Sequence, residues 1–240
     1  MILADRRIGC RAATMIVRVV PVKGVALDRG IGIFEKRRDA DAVLMLIWPE
    51  VEAGEICTTP AGAVTLVARR GQVVAFQAHG LADIETRQPM RTDHIFRIQS
   101  MTKPLATVAL LTLMEEGRVL LSDPVAKYLP EFADQQVAVE RNGIVTLQPA
   151  ERPATIHDLL RHTAGLTYEF SGESAVQRMY RERHVNLRVP GQDNAGATRV
   201  LAQIPLMFPP GSVGDYSRAT DVLGRLIEVW SGHSLGAFLQ

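Results

Sequence analysis

A serine and a lysine three residues apart, Ser100 and Lys103, open the segment "FRIQSMTKPLATVALLTLMEEG" and lead into an almost wholly apolar run. If a helix starts near Ser100, the two side chains share one face and hydroxyl and amine can touch. The first-turn amides have no intrahelical partner, so Pro104 is tolerated there. The same unpaired N–H groups and the positive end of the helix dipole favour negative charge at Ser100. Burial and that positive field disfavour a protonated Lys103, which gives the expectation of a depressed lysine pKa and a neutral amine able to take the serine proton. The alternative is a plain helix start, with Ser100 as N-cap and Lys103 solvated. A third residue favours the chemical reading. Tyr216, in "DYSR", stands in a Pro/Gly-rich loop just before a helix, a place suited to present a phenol that shares a proton shuttle with a lysine. Its alternative is a packed, hydrogen-bonded tyrosine.

The elements around these residues must hold them in place. "AGAVTLVARRGQVVAFQAHG" predicts a hairpin of two β-rich runs joined at Arg69–Gly71, and its continuous apolar character predicts strands covered on both faces. Leu105 to Met114 carry apolar side chains on nearly every helical face, which predicts a helix buried in the middle of a domain, ended by Gly117. "LLSDPVAKYLPEF", with two prolines, reads as a loop with a short helical piece. In "PATIHDLLRHTAGL", Thr155 and Asp158 form a capping-box-like start and Gly165 marks the stop; His162 reads as structural, and Thr163 and Gly165 as shaping the turn. The stretch from Tyr168 to Gly196 is polar and irregular, and reads as a surface excursion. An amphipathic helix follows over about Thr220 to Trp230.

Composition removes several partner classes. Of 240 residues, 47% are hydrophobic and 22% charged, so the chain is long and apolar enough for a sizeable core. Lys plus Arg number 27 against 26 Asp plus Glu, a net charge of +1 that offers no footprint for nucleic acid or an anionic membrane surface. Cys10 and Cys57 are too few for a disulfide framework or a zinc site, and read as free thiols. No apolar run approaches the roughly 20 residues that span a bilayer, and "AVLMLIW" (42–48) reads as a core segment. The basic N-terminus is broken by Arg18 and Pro21 before it reaches signal-peptide length, so a cytoplasmic location is expected. Residues 1–45 have neither helical nor strand period and read as an extension without an assigned role, ahead of one domain over 46–240. H-E-x-x-H is not present.

"IFRIQSMTKPLATVALLTLMEEGRVLLSDPVAKYLPEF", "LLRHTAGLTYEF" and "YSRATDVLGRLIEVWSG" together resemble the serine β-lactamase and penicillin-binding-protein superfamily. They look most like its esterase branch, the family VIII carboxylesterases, which are similar to class C β-lactamases. The likeness runs from about Ala61 to Leu239. It implies an α+β fold, an antiparallel sheet flanked by helices plus a helical region. It implies Ser100 as the acylated nucleophile, Lys103 as its proton partner and Tyr216 as the general base that later serves as acid. The Ser100 N–H would be one oxyanion donor. No metal or organic cofactor is implied, and the partner is a small-molecule ester or β-lactam. The second motif of that family commonly reads Y-x-N; here Arg218 takes the asparagine place as a substrate-binding candidate, which weakens the β-lactam reading more than the ester one. The third motif, on a strand lining the opposite wall, does not follow Tyr216, so the C-terminal strands are expected to be missing. The readings carried forward are a hydrolase of short-chain carboxylic esters, a β-lactamase or penicillin-binding DD-peptidase, and a non-catalytic remnant or acyl-binding module.

Overall fold

A run rich in β-branched and other apolar residues from Gly62 onward gives the first element. In the computed structural model, which describes residues 61–69, 72–185 and 191–240, β1 (Gly62–Arg69) pairs antiparallel with β2 (Gln72–Asp83). The expected hairpin is present, although its turn at Arg70–Gly71 lies outside the described residues, as do Cys10, Cys57, the apolar run 42–48 and the extension 1–45. The register runs from Gly62 opposite Gly80 to Arg69 opposite Gln72, shifting once between Val67 and Ala68. The Gly62 position has no room for a side chain, since a Cβ there would lie 2.3 Å from the Leu81 carbonyl oxygen. A two-residue strand, β3 (Gln88–Pro89), extends the sheet beside β2.

The chain divides into two units, residues 1–102 and 103–240. In the first, Val64 packs against Ala78, Met90, Phe96, Ile98 and Met101. Val73, Val74 and Phe76 of β2 are 60%, 66% and 49% exposed. The expectation of strands covered on both faces therefore fails among the described residues. Apolar continuity marks β-propensity; it does not specify what lies over the strand.

The second unit begins within the first turn of α1 (Thr102–Glu115). Ala106, Ala109, Leu110 and Leu113 are buried, while Leu105 and Val108 are 51% and 59% exposed, so α1 buries one face instead of the all-round burial its sequence predicts. Gly117, at φ 75°, ends it: its N–H donates to the Met114 carbonyl (2.9 Å) and that of Arg118 to the Leu113 carbonyl (3.1 Å), a Schellman closure. Two short 3-10 turns follow, Val125–Lys127 and Pro130–Phe132, matching the loop with a short helical piece.

β4 (Gln136–Arg141) and β5 (Ile144–Pro149) form an antiparallel hairpin turned by Asn142 (φ 51°) and Gly143 (φ 77°). Both turn residues are left-handed, as a two-residue hairpin turn requires. Helices α2 (Ile156–Leu160), α3 (Ala175–Glu182), α4 (Asn194–Ala202), α5 (Ala219–Ser231) and α6 (Leu235–Phe238) complete the unit. The "surface excursion" is corrected by α3: a Ser174–Gln177 capping box starts it and Val176 and Tyr180 bury its inner face. Leu110, Leu113, Ile156, Leu159, Leu166, Leu206, Leu223, Leu226 and Ile227 form the core. Among the described residues no helix is long and apolar enough to cross a membrane.

Candidate active site

The segment after α2 builds the floor of the site. Thr155 caps α2 by accepting the Asp158 N–H, and the Asp158 carboxylate takes the Thr155 N–H in return (2.9 Å). Arg152 adds a two-pronged ion pair to Asp158 (2.7 and 3.0 Å), and the Thr163 hydroxyl donates to it (3.0 Å). Asp158 is almost fully buried, and burial alone would raise its pKa; the Arg152, Thr155 and Thr163 hydrogen bonds win and hold it well below the usual carboxylate range. Thus anchored, the chain leaves the helix with His162 at φ 56° and Gly165 at φ 81°.

Four carbonyls of this segment then hold the loop that carries Tyr216. The carbonyl of His162 accepts the Asp215 N–H (2.9 Å), that of Thr163 the Gly211 N–H (2.7 Å), that of Gly165 the Met207 N–H (2.8 Å) and that of Thr167 the Arg218 N–H (3.3 Å). The approach is close at Gly165, where a Cβ would fall 2.1 Å from the Phe208 carbonyl oxygen. The structural reading of Thr163 and Gly165 holds, and the turn they shape is the one on which Tyr216 is mounted.

Lys103 and Tyr216 come together in the second unit. The Lys103 Nζ lies 4.6 Å from the Tyr216 ring centroid and 5.6 Å from that of Tyr168. Tyr168 and Tyr216 are 5.5 Å apart between ring centroids, His162 lies 5.0 Å from Tyr216, and Phe170 stacks on Tyr168 at 4.7 Å. Partial burial lowers the Lys103 pKa as its sequence predicts, but hydrogen bonds with the Tyr216 and Tyr168 hydroxyls outweigh it, so the net shift is upward. The expected neutral amine is therefore corrected: Lys103 is an ammonium beside two phenols. Burial pushes the Tyr168 hydroxyl up, with Lys103 opposing.

Ser100 lies in the 3-10 turn Gln99–Met101 at the end of the first unit, on the chain three residues ahead of Lys103. Gln99 immediately before it holds φ 45°, a left-handed conformation sparse for a non-glycine residue. Arg218 is largely buried. Its guanidinium pairs with Glu169 (Nη2 to Oε1 2.5 Å, Nε to Oε2 3.3 Å), lies 3.7 Å from an Asp221 carboxylate oxygen, and covers the Tyr168 ring at 5.0 Å. Tyr168 and Glu169 escape sequence reading, and His162 is read only as structural. The signal available was the compact H-T-A-G-L-T-Y-E-F string itself, with a histidine, two aromatics and an acid beside a glycine stop. Among the described residues no group of three or more His, Cys, Asp or Glu side chains could hold a metal ion.

Comparison with known proteins sets this arrangement among relatives. The esterase EstB of Burkholderia gladioli is 40% identical over 179 residues, which cover 73% of this chain and 42% of that protein. The solved structure of EstCE1, described as a hydrolase with promiscuous acyltransferase activity, superposes with a TM-score of 0.64 at 32% identity, covering 75% of this chain and 44% of the other. Unliganded simvastatin synthase (LovD) of Aspergillus terreus superposes with a TM-score of 0.61 at 26% identity, covering 75% and 46%. The chain thus spans less than half the length of these relatives. The family model described as Beta-lactamase matches residues 58–240, a stretch that takes in the first hairpin, α1 and the whole second unit. Because that match takes in well over half of the chain, the chain belongs to the beta-lactamase family.

Proposed function

We propose that this chain carries the acylation machinery of a serine hydrolase acting on short-chain carboxylic esters, with Ser100 as nucleophile. The observation that carries the reading is the Lys103–Tyr216 pair: an ammonium held against a phenol lowers the cost of forming phenolate, the base that a serine hydroxyl needs. Tyr216 takes the Ser100 proton as the hydroxyl oxygen attacks the ester carbonyl. The tetrahedral intermediate collapses with cleavage of the ester C–O bond, and Tyr216 returns the proton to the departing alkoxide, leaving acyl-Ser100. Water, deprotonated by the same phenolate, then releases the acid and restores Ser100. Lys103 remains charged throughout, a fixed cation beside the site of developing negative charge.

Ester hydrolysis is favoured over β-lactam hydrolysis by Arg218. At the place where an amide side chain would face a β-lactam carboxamide, the guanidinium is engaged with Glu169 and Tyr168, and we assign it to holding that wall of the site. The relative named as an esterase supports the same choice. The test is turnover of p-nitrophenyl butyrate and covalent labelling by a fluorophosphonate, read by intact mass, for the native chain and for Ser100→Ala. Turnover and labelling that both disappear in Ser100→Ala are expected. Labelling that survives there removes Ser100 as nucleophile, and labelling without turnover in the native chain assigns it to acyl binding alone.

A further inference from the structure

His162 directs its imidazole at the loop that carries Tyr216. Its Nδ1 accepts the Ser217 N–H at 3.2 Å and lies 3.1 Å from the Ser217 hydroxyl, while its own carbonyl accepts the Asp215 N–H at 2.9 Å. Ser217 is almost wholly buried, and its Oγ in turn accepts the Ala219 N–H at the start of α5 (3.4 Å). One residue thus grips the chain on both sides of Tyr216 and connects that grip to a core helix. The left-handed backbone of His162 lets carbonyl and ring reach the same loop.

We propose that His162 is a positioning residue for Tyr216, its Nδ1 lone pair and its carbonyl together fixing Asp215–Ser217 so that the phenol stays against Lys103. This rests on the reading of Tyr216 as the base. Because Nδ1 accepts, the neutral ring carries its proton on Nε2. Protonation at Nδ1 removes the acceptor of the Ser217 N–H, while the Ser217 hydroxyl reverses and accepts from Nδ1–H. The charged and titratable groups facing the ring are Lys103 from α1 and Asp215 and Tyr216 from the loop. Burial first, then Lys103, keep the imidazole neutral, with Asp215 opposing. The hold on the Ser217 amide is therefore present at neutral pH and lost in acid.

Three variants of the full chain test this. His162→Gly removes the acceptor without straining the backbone. His162→Asn keeps an acceptor oxygen near the Nδ1 position and tolerates positive φ. Tyr216→Phe removes the base. Hydrogen exchange at the Ser217 amide reads the grip, and ester turnover reads its consequence. We expect His162→Gly to speed Ser217 exchange and lower kcat about tenfold or more with KM nearly unchanged, as lost positioning of a reacting group should. His162→Asn should restore both, and should blunt the acid limb of the kcat profile, because Asn does not titrate. Unchanged Ser217 exchange in His162→Gly overturns the grip. Faster exchange with unchanged kcat, while Tyr216→Phe is inactive, overturns the positioning role alone. An active Tyr216→Phe overturns the assignment of Tyr216, and the catalytic consequence of His162 with it.

Discussion

The phenols of Tyr216 and Tyr168 favour the charged form of Lys103. The spacing that announces Lys103 also led to the expectation of a neutral amine, because burial and a helix N-terminus both act against an ammonium. What reverses the sign is a pair of phenols brought to it by loops far along the chain, and no local pattern carries that information. It follows that Lys103→Met removes a fixed cation, not a base. The kcat/KM for ester should fall roughly 10²- to 10⁴-fold, and the phenol titration observed by ultraviolet difference absorbance should move to higher pH. If the Tyr216 signal stays where it was, the ammonium is not stabilising phenolate. Lys103→Arg should rescue poorly, since a planar fork cannot replace a point charge at 4.6 Å from a ring. Ser100, Lys103 and Tyr216 stood out as candidates because few chemistries need a serine, lysine and tyrosine in those settings, and the fold brings Lys103 and Tyr216 together. Tyr168, Glu169 and His162 were not, because each takes its role from a partner brought near only by the fold. His162 and Ser217, for example, are 55 residues apart in sequence.

Among the elements, the legible ones were those punctuated by their own residues. The Thr155–Asp158 capping box, the Gly117 closure and α5 all form from short-range rules that need no distant partner. The β4–β5 hairpin and α3 obeyed the same kind of rule, with Asn142-Gly143 between apolar runs and Ser174 three residues before Gln177; neither was inferred from these local signals. Asp158 carries more than a cap. Asp158→Asn leaves Arg152 without its anion and weakens the anchor of the 162–167 segment, and should cost about 2–3 kcal/mol in urea denaturation. A loss below about 0.5 kcal/mol would class the network as a surface pair of little weight. Gly165→Ala forces a Cβ onto the Phe208 carbonyl at a positive φ and should destabilise by about 2–3 kcal/mol, with ester turnover falling further than the folded fraction does. Turnover that tracks the folded fraction would mean that the loop relaxes without moving Tyr216.

The whole molecule should lose stability in acid in two stages. His162 has a folded pKa below its ordinary value of about 6.5, so the unfolded chain binds the proton more readily and stability falls as the pH drops below that value. Asp123, which accepts the Tyr128 hydroxyl (2.6 Å), the Leu120 N–H (3.0 Å) and Lys127 (3.0 Å), is lowered to about 2; Asp158 is also depressed. Their contribution is complete above the ordinary carboxylate value of about 4 and is lost as the pH falls through the folded values. Lys103 has the opposite sign: its contribution is present below about pH 10 and is lost as the pH rises through its raised folded pKa. A Tm profile flat from pH 7 to 9, sagging below about 6.5 and collapsing below 4, is the expected outcome. Asp221, raised by burial, has the opposite sign and adds stability as the pH falls, so the His162 contribution is read as the difference between the Tm profiles of the native chain and His162→Asn; no difference between pH 7 and 5 would contradict it.

By itself, the sequence determined the family and the α+β order of elements, and it put forward a serine, a lysine and a tyrosine as candidates for acyl transfer, because motif spacing, caps and glycine stops act over a few residues. Tertiary structure decided the charge on Lys103, the partners of Arg218, the mounting of Tyr216 on the carbonyls of the 162–167 segment, and the one-sided burial of α1. Each of these depends on groups separated by tens of residues. A field, a desolvation or a hydrogen bond at such separation exists only after the chain has closed on itself.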